Sequence, residues 1–305
     1  MKQNCKLQAS SKTFTKRTFY YWQKYLENQN NLGHAERNLP HNSFLSYIND
    51  CLNSSFETIL RIIEDTRNFR PHYILEIGSS SGTICLQAKN LYPEAIVLGI
   101  EPEKEAIYVS KNMSKNFKLK NLFFVNGVAE KLPFKDEQFD LIICHTVIEH
   151  VKNVELTLSE MKRVLNYKGF IHLEAPNYNW PYEPHLSVWC IPRFGKKFVE
   201  FLSRLQKKDP NIKFLDHLQF VHPHRIENKL NELSMEWENL FLKKLVNIIS
   251  GNNSSVKKYI KLSKFLVILK KTKLSTVLIK LITIFKFYPS LMYLIYKNKT
   301  GKNYN

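Results

Sequence analysis

The sequence predicts an α/β fold, a mostly parallel sheet with helices on both faces. Three observations carry this. Five short apolar runs between residues 73 and 175 alternate with helical patterns of about ten residues, which is the signature of βαβ units. The first run leads directly into a glycine-containing turn, ILEIGSSSGTICL, and a helical pattern follows at once. The chain has 305 residues and is 44% apolar, enough for one large domain with additions.

The elements follow in order. Residues 1–40 are polar with aromatic spots, and FYYWQKYLENQ fits a helix from about Phe14 to Leu26. Asn42 is placed to cap a second helix, from Ser43 to about Arg67, with apolar residues at helical spacing. Pro71 separates this extension, residues 1–70, from the first strand, Tyr73 to Ile77. A helix from Thr83 to Leu91, a strand from Ala95 to Ile100 and a helix from about Pro102 to Phe117 come next. Leu122 to Val125 and Phe139 to Cys144 read as the third and fourth strands, and Val154 to Leu165 as a helix. Phe170 to Ala175 reads as the fifth strand.

From Pro176 to His222 the pattern breaks down. NYNWPYEPHLSVWCIPRF is rich in aromatics and proline and reads as a loop or cap. Pro223 then opens a helix to about Leu233, with proline in its first turn. Met235 to Leu242 and Pro289 to Tyr296 read as the last two strands. The expected organisation is a core domain over 71–242, a basic helical insert over 243–288, and a last strand and tail over 289–305.

The net charge of +18 is unevenly placed. From Leu242 to Asn305 there are 14 lysines and no arginine, aspartate or glutamate, which leaves 31 basic against 27 acidic groups, or +4, in the first 241 residues. Such asymmetry predicts an anionic partner, a membrane surface or nucleic acid. From Val256 to Phe287 apolar residues recur at helical spacing (Leu274, Val277, Leu278, Leu281, Phe285), with Lys273, Thr276, Lys280 and Thr283 on another face. Lys257, Lys261 and Lys264 share a side further upstream. A helix with an apolar face and a lysine face lies in a membrane interface. Val277 to Tyr296 has the ~20 residues that a membrane span needs, but Lys280, Lys286 and Pro289 interrupt it. The absence of arginine and the long aliphatic runs favour a membrane surface over RNA.

The first residues, MKQNCKLQAS, lack an apolar core, so no secretory signal is expected. Five scattered cysteines without a CxxC pair point to a reducing, cytoplasmic compartment.

The glycine turn narrows the ligand class. A dinucleotide fingerprint needs glycines at 78, 80 and 83, where this chain has Gly78, Ser80 and Thr83. A P-loop needs a Gly-Lys-Ser or Gly-Lys-Thr end, which is absent. The spacing Glu76, Gly78, Ser80, Gly82 instead resembles the acid-x-Gly-x-Gly-x-Gly motif of class I S-adenosylmethionine-dependent methyltransferases, with serine for the middle glycine. Further motifs resemble the same family in the same order. Glu101 ends the second strand in VLGIEP. NGVAEKLPF, Asn126 to Phe134, resembles GDAExLPF, with Val128 in place of the aspartate. FDLIICHTVIEHV, Phe139 to Val151, and EMKRVLNYKGFIHLEAPN, Glu160 to Asn177, complete the set.

The resemblance covers Ile74 to Asn177 well and extends loosely to Leu233. It implies a Rossmann-like, seven-stranded sheet in the order 3-2-1-4-5-7-6 with the last strand antiparallel. It implies S-adenosylmethionine as cofactor, held by Glu76, Gly78, Ser80, Gly82, Glu101, Ala129 and Glu130, with Glu101 on the ribose hydroxyls. His145, Glu149 and His150, at the end of the fourth strand and the start of a helix, become the candidates for chemistry. The Glu149–His150 pair is similar to one in ubiquinone-pathway O-methyltransferases and small-RNA 2′-O-methyltransferases, where a divalent cation can bind. Those families place a second glutamate three residues earlier, where this chain has Thr146, so no metal site is expected.

The cap resembles a PN…YEPH…P stretch of methyltransferases in surface-polysaccharide and lipid-linked glycan pathways. It offers Tyr182, Glu183 and His185 as a hydrogen-bonding set, and Trp180 and Trp189 as faces for a sugar or lipid. The expected activity is O-methylation of a glycan, polyprenyl or lipid-linked acceptor, peripheral on the cytoplasmic membrane face. An RNA methyltransferase using the lysine tail is one alternative. A non-catalytic cofactor-binding protein, hinted at by Ser80 and Val128, is another.

Overall fold

A computed structural model of the chain describes residues 15–31, 41–52, 69–208, 212–250 and 274–298. Seven strands form one mixed sheet in the order β3-β2-β1-β4-β5-β7-β6, as the family resemblance implies. They are β1 (Tyr73–Ile77), β2 (Ile96–Glu101), β3 (Leu122–Asn126), β4 (Phe139–His145), β5 (Leu165–Pro176), β6 (Met235–Asn239) and β7 (Ser290–Lys297). β1 pairs in parallel with β2 (Ile77 opposite Ile100) and with β4 (Ile77 opposite Cys144), and β2 pairs in parallel with β3. The inner strands are buried on both faces: Ile74 to Ile77 and Leu141 to Cys144 are covered throughout. Continuous burial of this kind is why the runs are apolar rather than alternating.

The helices are α1 (Lys16–Asn31), α2 (His41–Leu52), α3 (Thr83–Leu91), α4 (Lys104–Asn116) and α5 (Val154–Val164). After β5 come α6 (Lys196–Leu205), α7 (Ile212–His217), α8 (Pro223–Glu232), α9 (Leu240–Ser250) and α10 (Leu274–Phe285). The chain divides into two compact units, residues 1–172, 211–219 and 296–305, and residues 173–210 and 220–295.

In the first unit, α1 packs on α4. The Tyr21 and Tyr108 rings lie 3.9 Å apart between centroids, the Arg17 guanidinium sits over the Tyr108 ring, and Trp22 is buried. Its start is capped by Thr15, whose Oγ1 accepts from the Thr18 amide at 3.2 Å. In the second unit, Asn177 joins the end of β5 to the turn before β7. Its side-chain amide donates to the carbonyls of Lys286 (2.9 Å) and Tyr288 (2.7 Å), and its backbone N–H to Pro289 (3.1 Å).

Several elements differ from expectation. α2 starts at His41, so Asn42 lies inside the helix rather than at its cap, and residues 53–68 of that expected helix fall outside the described residues. β5 begins at Leu165 instead of Phe170, because Leu165 is already extended (φ −70°, ψ 130°) where α5 ends. β6 ends at Asn239 rather than Leu242. The Asn239 side chain accepts from the Leu242 amide at 3.0 Å and turns the chain into α9. The stretch from Pro176 to His222, where the sequence pattern breaks down, contains α6 and α7 beyond the loop-like residues 177–194. Of the amphipathic segment, α10 is described, and residues 251–273 lie outside the described residues. Among the described residues no helix is long and apolar enough to cross a membrane.

Candidate active site

The loop between β1 and α3 folds back onto the end of β2. The amides of Gly78 and Ser79 both donate to the Ile100 carbonyl, at 2.9 and 3.1 Å, and Gly82 donates to Ser79 at 2.7 Å. This path needs left-handed backbone at Gly78 (φ 67°), Ser80 (φ 47°) and Gly82 (φ 80°). Glycine adopts that region freely, whereas an L side chain costs roughly 1–2 kcal/mol there. Space is also tight: a Cβ at Gly78 would meet Val147 Cγ2 at 2.4 Å, and one at Gly82 would meet the Phe124 ring at 2.7 Å. Ser80 bears the backbone cost and gains a partner, since its Oγ lies 3.0 Å from the Tyr25 hydroxyl of α1.

Two buried carboxylates flank the loop. Glu76 sits in β1 at 3% exposure and accepts from the Cys85 amide at 2.9 Å, capping the first turn of α3. Burial pushes its carboxyl up to about 8. Glu101 ends β2 at 6% exposure and accepts from the amides of Ser80 (2.8 Å) and Glu103 (3.2 Å). Burial raises its carboxyl as well, and its charge pushes Glu76 further up. Among the described residues neither acid has a lysine or arginine partner. A site holding two buried acids and no cation repels phosphate and fits a ligand carrying an ammonium and a sulfonium. S-adenosylmethionine is such a ligand, so the residues present fit it.

The β3–β4 connection is less open to a ligand than the sequence reading had it. Ala129 is buried, and Val128 is exposed and bridged to Lys131. Glu130 is already engaged, accepting from the amides of Lys152 (2.7 Å) and Asn153 (3.3 Å) just before α5. The following turn is held by Arg163, which donates to the carbonyls of Leu132 and Phe134 and to Glu160 and Asp136. The Arg163 guanidinium holds the Glu160 carboxyl below its ordinary value. Neither Arg163 nor Asn126, whose amide donates to the carbonyls of Glu101 and Pro102, had been singled out from sequence.

β4 ends at His145, which is partly exposed. Its ring lies 6.5 Å from that of His172, a fully buried histidine of β5 that the sequence reading missed. Glu149 and His150 do not begin a helix. They lie on a turn closed by the bond from the His150 amide to the Val147 carbonyl (2.8 Å), and α5 starts only at Val154, where Asn153 caps it. Thr146, between β4 and this turn, is left-handed (φ 52°). Glu149 is fully buried, with Oε1 at 3.9 Å from His150 Nε2, and its carbonyl accepts from the Gln219 amide at 2.7 Å. The buried carboxylate beside a partly exposed imidazole suits a base and its orienting partner.

In the second unit the cap residues split. Glu183 is fully buried and central: its Oε1 lies 2.7 Å from His185 Nδ1 and 3.4 Å from the Tyr178 hydroxyl, and its Oε2 accepts from the Leu186 amide. Tyr178 therefore completes the set where Tyr182 was expected. Tyr182 packs on Trp189 instead, at 5.1 Å between ring centroids. Trp180 packs on Phe287, and Trp189 is 62% exposed. His222 caps α8, its Nδ1 accepting from the Arg225 amide at 3.3 Å.

The chain is similar to known proteins over its central part. A family model described as a methyltransferase domain matches residues 72–234. The uncharacterized methyltransferase YcgJ of Bacillus subtilis is 31% identical over 140 residues, 46% of this chain and 49% of that protein. A ubiquinone biosynthesis O-methyltransferase of Bartonella quintana is 26% identical over 159 residues, 52% of this chain and 58% of that protein. The crystal structure of YcgJ superposes with a TM-score of 0.45 at 25% identity, covering 59% of this chain and 69% of that one. The chain spans about half the length of the curated relatives it matches. The matched domain covers more than half of the chain, and the chain belongs to the class I S-adenosylmethionine-dependent methyltransferase family.

Proposed function

We propose that the chain methylates a hydroxyl of a lipid-linked, polyprenyl or glycan acceptor at a membrane surface, with S-adenosylmethionine as methyl donor. The observation that carries the cofactor assignment is the pair of buried, cation-free acids Glu76 and Glu101 around the glycine loop. S-adenosylmethionine supplies an activated methyl group when bound there. Glu101 would accept the two ribose hydroxyls while the Ser80 amide holds its carboxylate in place. Burial raises both carboxyls, and a cationic donor bound beside them would favour their charged forms and be favoured by them in turn. His145 and His150 are the candidates to take the acceptor hydroxyl's proton, and Glu149 would orient His150 and stabilise its charged form. Glu183, His185 and Tyr178 are the candidates to hold the acceptor's polar end.

The acceptor class is supported by the surface of α10, where Val277, Leu281, Ile284 and Phe285 are exposed beside Lys280. Two relatives are named for methylation in ubiquinone biosynthesis and of demethylmenaquinone, and an acceptor with an apolar chain is in keeping with those names. The test is label transfer. Purified protein and methyl-labelled S-adenosylmethionine are added to lysate lacking this gene, which is then split into lipid, glycan, nucleic-acid and protein fractions. Label is expected in lipid or glycan. Label in nucleic acid would replace the acceptor class with RNA, and label in no fraction would favour a non-catalytic protein.

A further inference from the structure

The second unit holds a cavity that the cofactor and acceptor residues do not use. It has a volume of about 440 Å³ and is lined, among the described residues, by Ile191, Leu281, Ile282, Phe285 and Phe287, with Arg193 and Asn179 as the polar contributors. Pockets of this size and apolarity are typical of ligand sites. Its walls come from two places: the turn at Ile191–Arg193 that precedes α6, and the face of α10 with the residues after it. Asn179 stands two residues beyond Asn177, so the cavity opens near the end of β5.

The elements that supply its walls also expose large apolar side chains. Trp189, Phe194, Phe201 and Leu205 are each more than 60% exposed on one side, as are Ile284 and Phe285 on the other. Large apolar groups left exposed on both elements that wall the cavity are a mark of a binding surface.

Charge says which kind. From Trp189 to Lys208 there are six basic residues, Arg193, Lys196, Lys197, Arg204, Lys207 and Lys208, against one acid, Glu200, which pairs with Arg204. Among the described residues Arg193 has no acidic partner. Burial first, and then the charges of Arg193, His224, Arg225 and Lys286, hold the His222 imidazole below its ordinary value, and Glu227 neutralises part of this positive field through its ion pair with Lys286. An apolar slot with an unpaired guanidinium at its edge and a cationic rim matches an amphiphile with a phosphate head.

We infer that this cavity binds an anionic membrane lipid, taking a segment of its apolar chain between Ile191 and Phe285 with its phosphate on Arg193, so that α6 and α10 together form the face that docks on an anionic bilayer. This deepens the lipid-linked acceptor reading and rests on it. It also enlarges the membrane-facing surface from the C-terminal lysine-rich segment to α6.

The test uses the full-length protein with vesicles of phosphatidylglycerol and of phosphatidylcholine, scored by co-sedimentation. Binding to the anionic vesicles and not to the neutral ones is expected. Arg193→Gln should weaken it about five-fold, the effect of one cation near an anionic surface. Phe285→Ser should weaken it by at least about tenfold, as expected for an aromatic side chain denied burial. Both residues are exposed, and unchanged cofactor binding in each variant will show that the fold is intact. Equal binding to both vesicle types would overturn the anionic-lipid assignment, and full binding by Arg193→Gln would overturn the phosphate contact. Full binding by Phe285→Ser would overturn the cavity. Absence of vesicle binding, with the apolar face instead holding two copies of the chain together in sedimentation velocity, would overturn the proposal as a whole. Failure here is separable from failure of the proposed activity: label entering lipid without vesicle binding removes only the docking site, and vesicle binding without label in lipid removes only the acceptor assignment.

Discussion

Glu101 accepts a 2.8 Å hydrogen bond from the amide of Ser80, so the acid that ends β2 also holds the loop that follows β1. Replacement by glutamine keeps an acceptor oxygen for that amide and removes the charge, at the cost of the weaker 3.2 Å bond that the other carboxylate oxygen accepts from the Glu103 amide. Glu101→Gln should therefore weaken S-adenosylmethionine binding by ~1 kcal/mol, the difference between a charged and a neutral hydrogen bond. A thermal-shift titration would show it as a smaller cofactor-induced rise in Tm.

Ser80 and Tyr25 make a second prediction, because two effects of similar size oppose each other there. Ser80→Gly relieves the left-handed backbone, worth roughly 1–2 kcal/mol, and loses the hydroxyl bond to Tyr25, worth about 0.5–1.5 kcal/mol. In the native chain the net change in stability should be small. In a Tyr25→Phe background the bond is already gone, so the same substitution should stabilise by ~1 kcal/mol. Urea unfolding of the four proteins of this cycle measures the coupling directly.

Gly78 has no such compensation. An alanine there meets Val147 at 2.4 Å and adopts an unfavourable φ. Gly78→Ala should cost ~2–3 kcal/mol or more. Adding Val147→Ala should recover the steric part and leave the backbone part, a remaining deficit of roughly 1–2 kcal/mol in denaturant unfolding.

Glu76 gives the apo protein a pH dependence of known sign. Its carboxyl rises from 4.5 to about 8 on folding, because burial penalises the charged form. A raised acid favours the protonated native state, so its stabilising contribution is complete below the unfolded value and is lost as pH rises from about 4.5 to about 8. Glu76→Gln, which still offers an oxygen to the Cys85 amide, should flatten the stability profile across that window. The same acid should release protons when a cationic cofactor binds near neutral pH, which calorimetry in buffers of different ionisation enthalpy would detect.

The chemistry candidates separate by substitution. If His150 with Glu149 behind it takes the proton, His150→Asn should lower kcat by ~10²–10⁴-fold with little change in cofactor affinity. His145→Asn should then have a smaller effect. The reverse order in steady-state kinetics with the acceptor found by label transfer would place the base at His145.

Much of the fold is legible in the sequence because its inner strands are buried on both faces and its helices are short and regular. β1 and α3 fall where the apolar runs place them, and β2 to β4 do so to within a residue. Errors gather where a local signal competes with another. Asn239 is a capping residue, but the apolar run beyond it, LFL, reads equally well as strand. α6 is hidden because the proline and aromatic residues before it read as loop.

The site is legible to the extent that its groups are set by backbone path. Gly78, Gly82 and Glu101 are constrained by the turn itself. Glu130 looks like a ligand group from its neighbours, yet its partners are amides 22 and 23 residues away. The Tyr25–Ser80 bond spans 55 residues and leaves no periodic trace. Tyr178 and Tyr182 are indistinguishable in sequence, and only the position of Glu183 relative to each decides between them.

The most direct test of the central claim is calorimetric titration of the full-length chain with S-adenosylmethionine, beside Glu101→Ala. The account predicts one site on the native chain and an affinity lower by ~1.5–3 kcal/mol in the variant, as for loss of a charged acceptor. An absence of binding to the native chain, or equal affinity in both proteins, would contradict it.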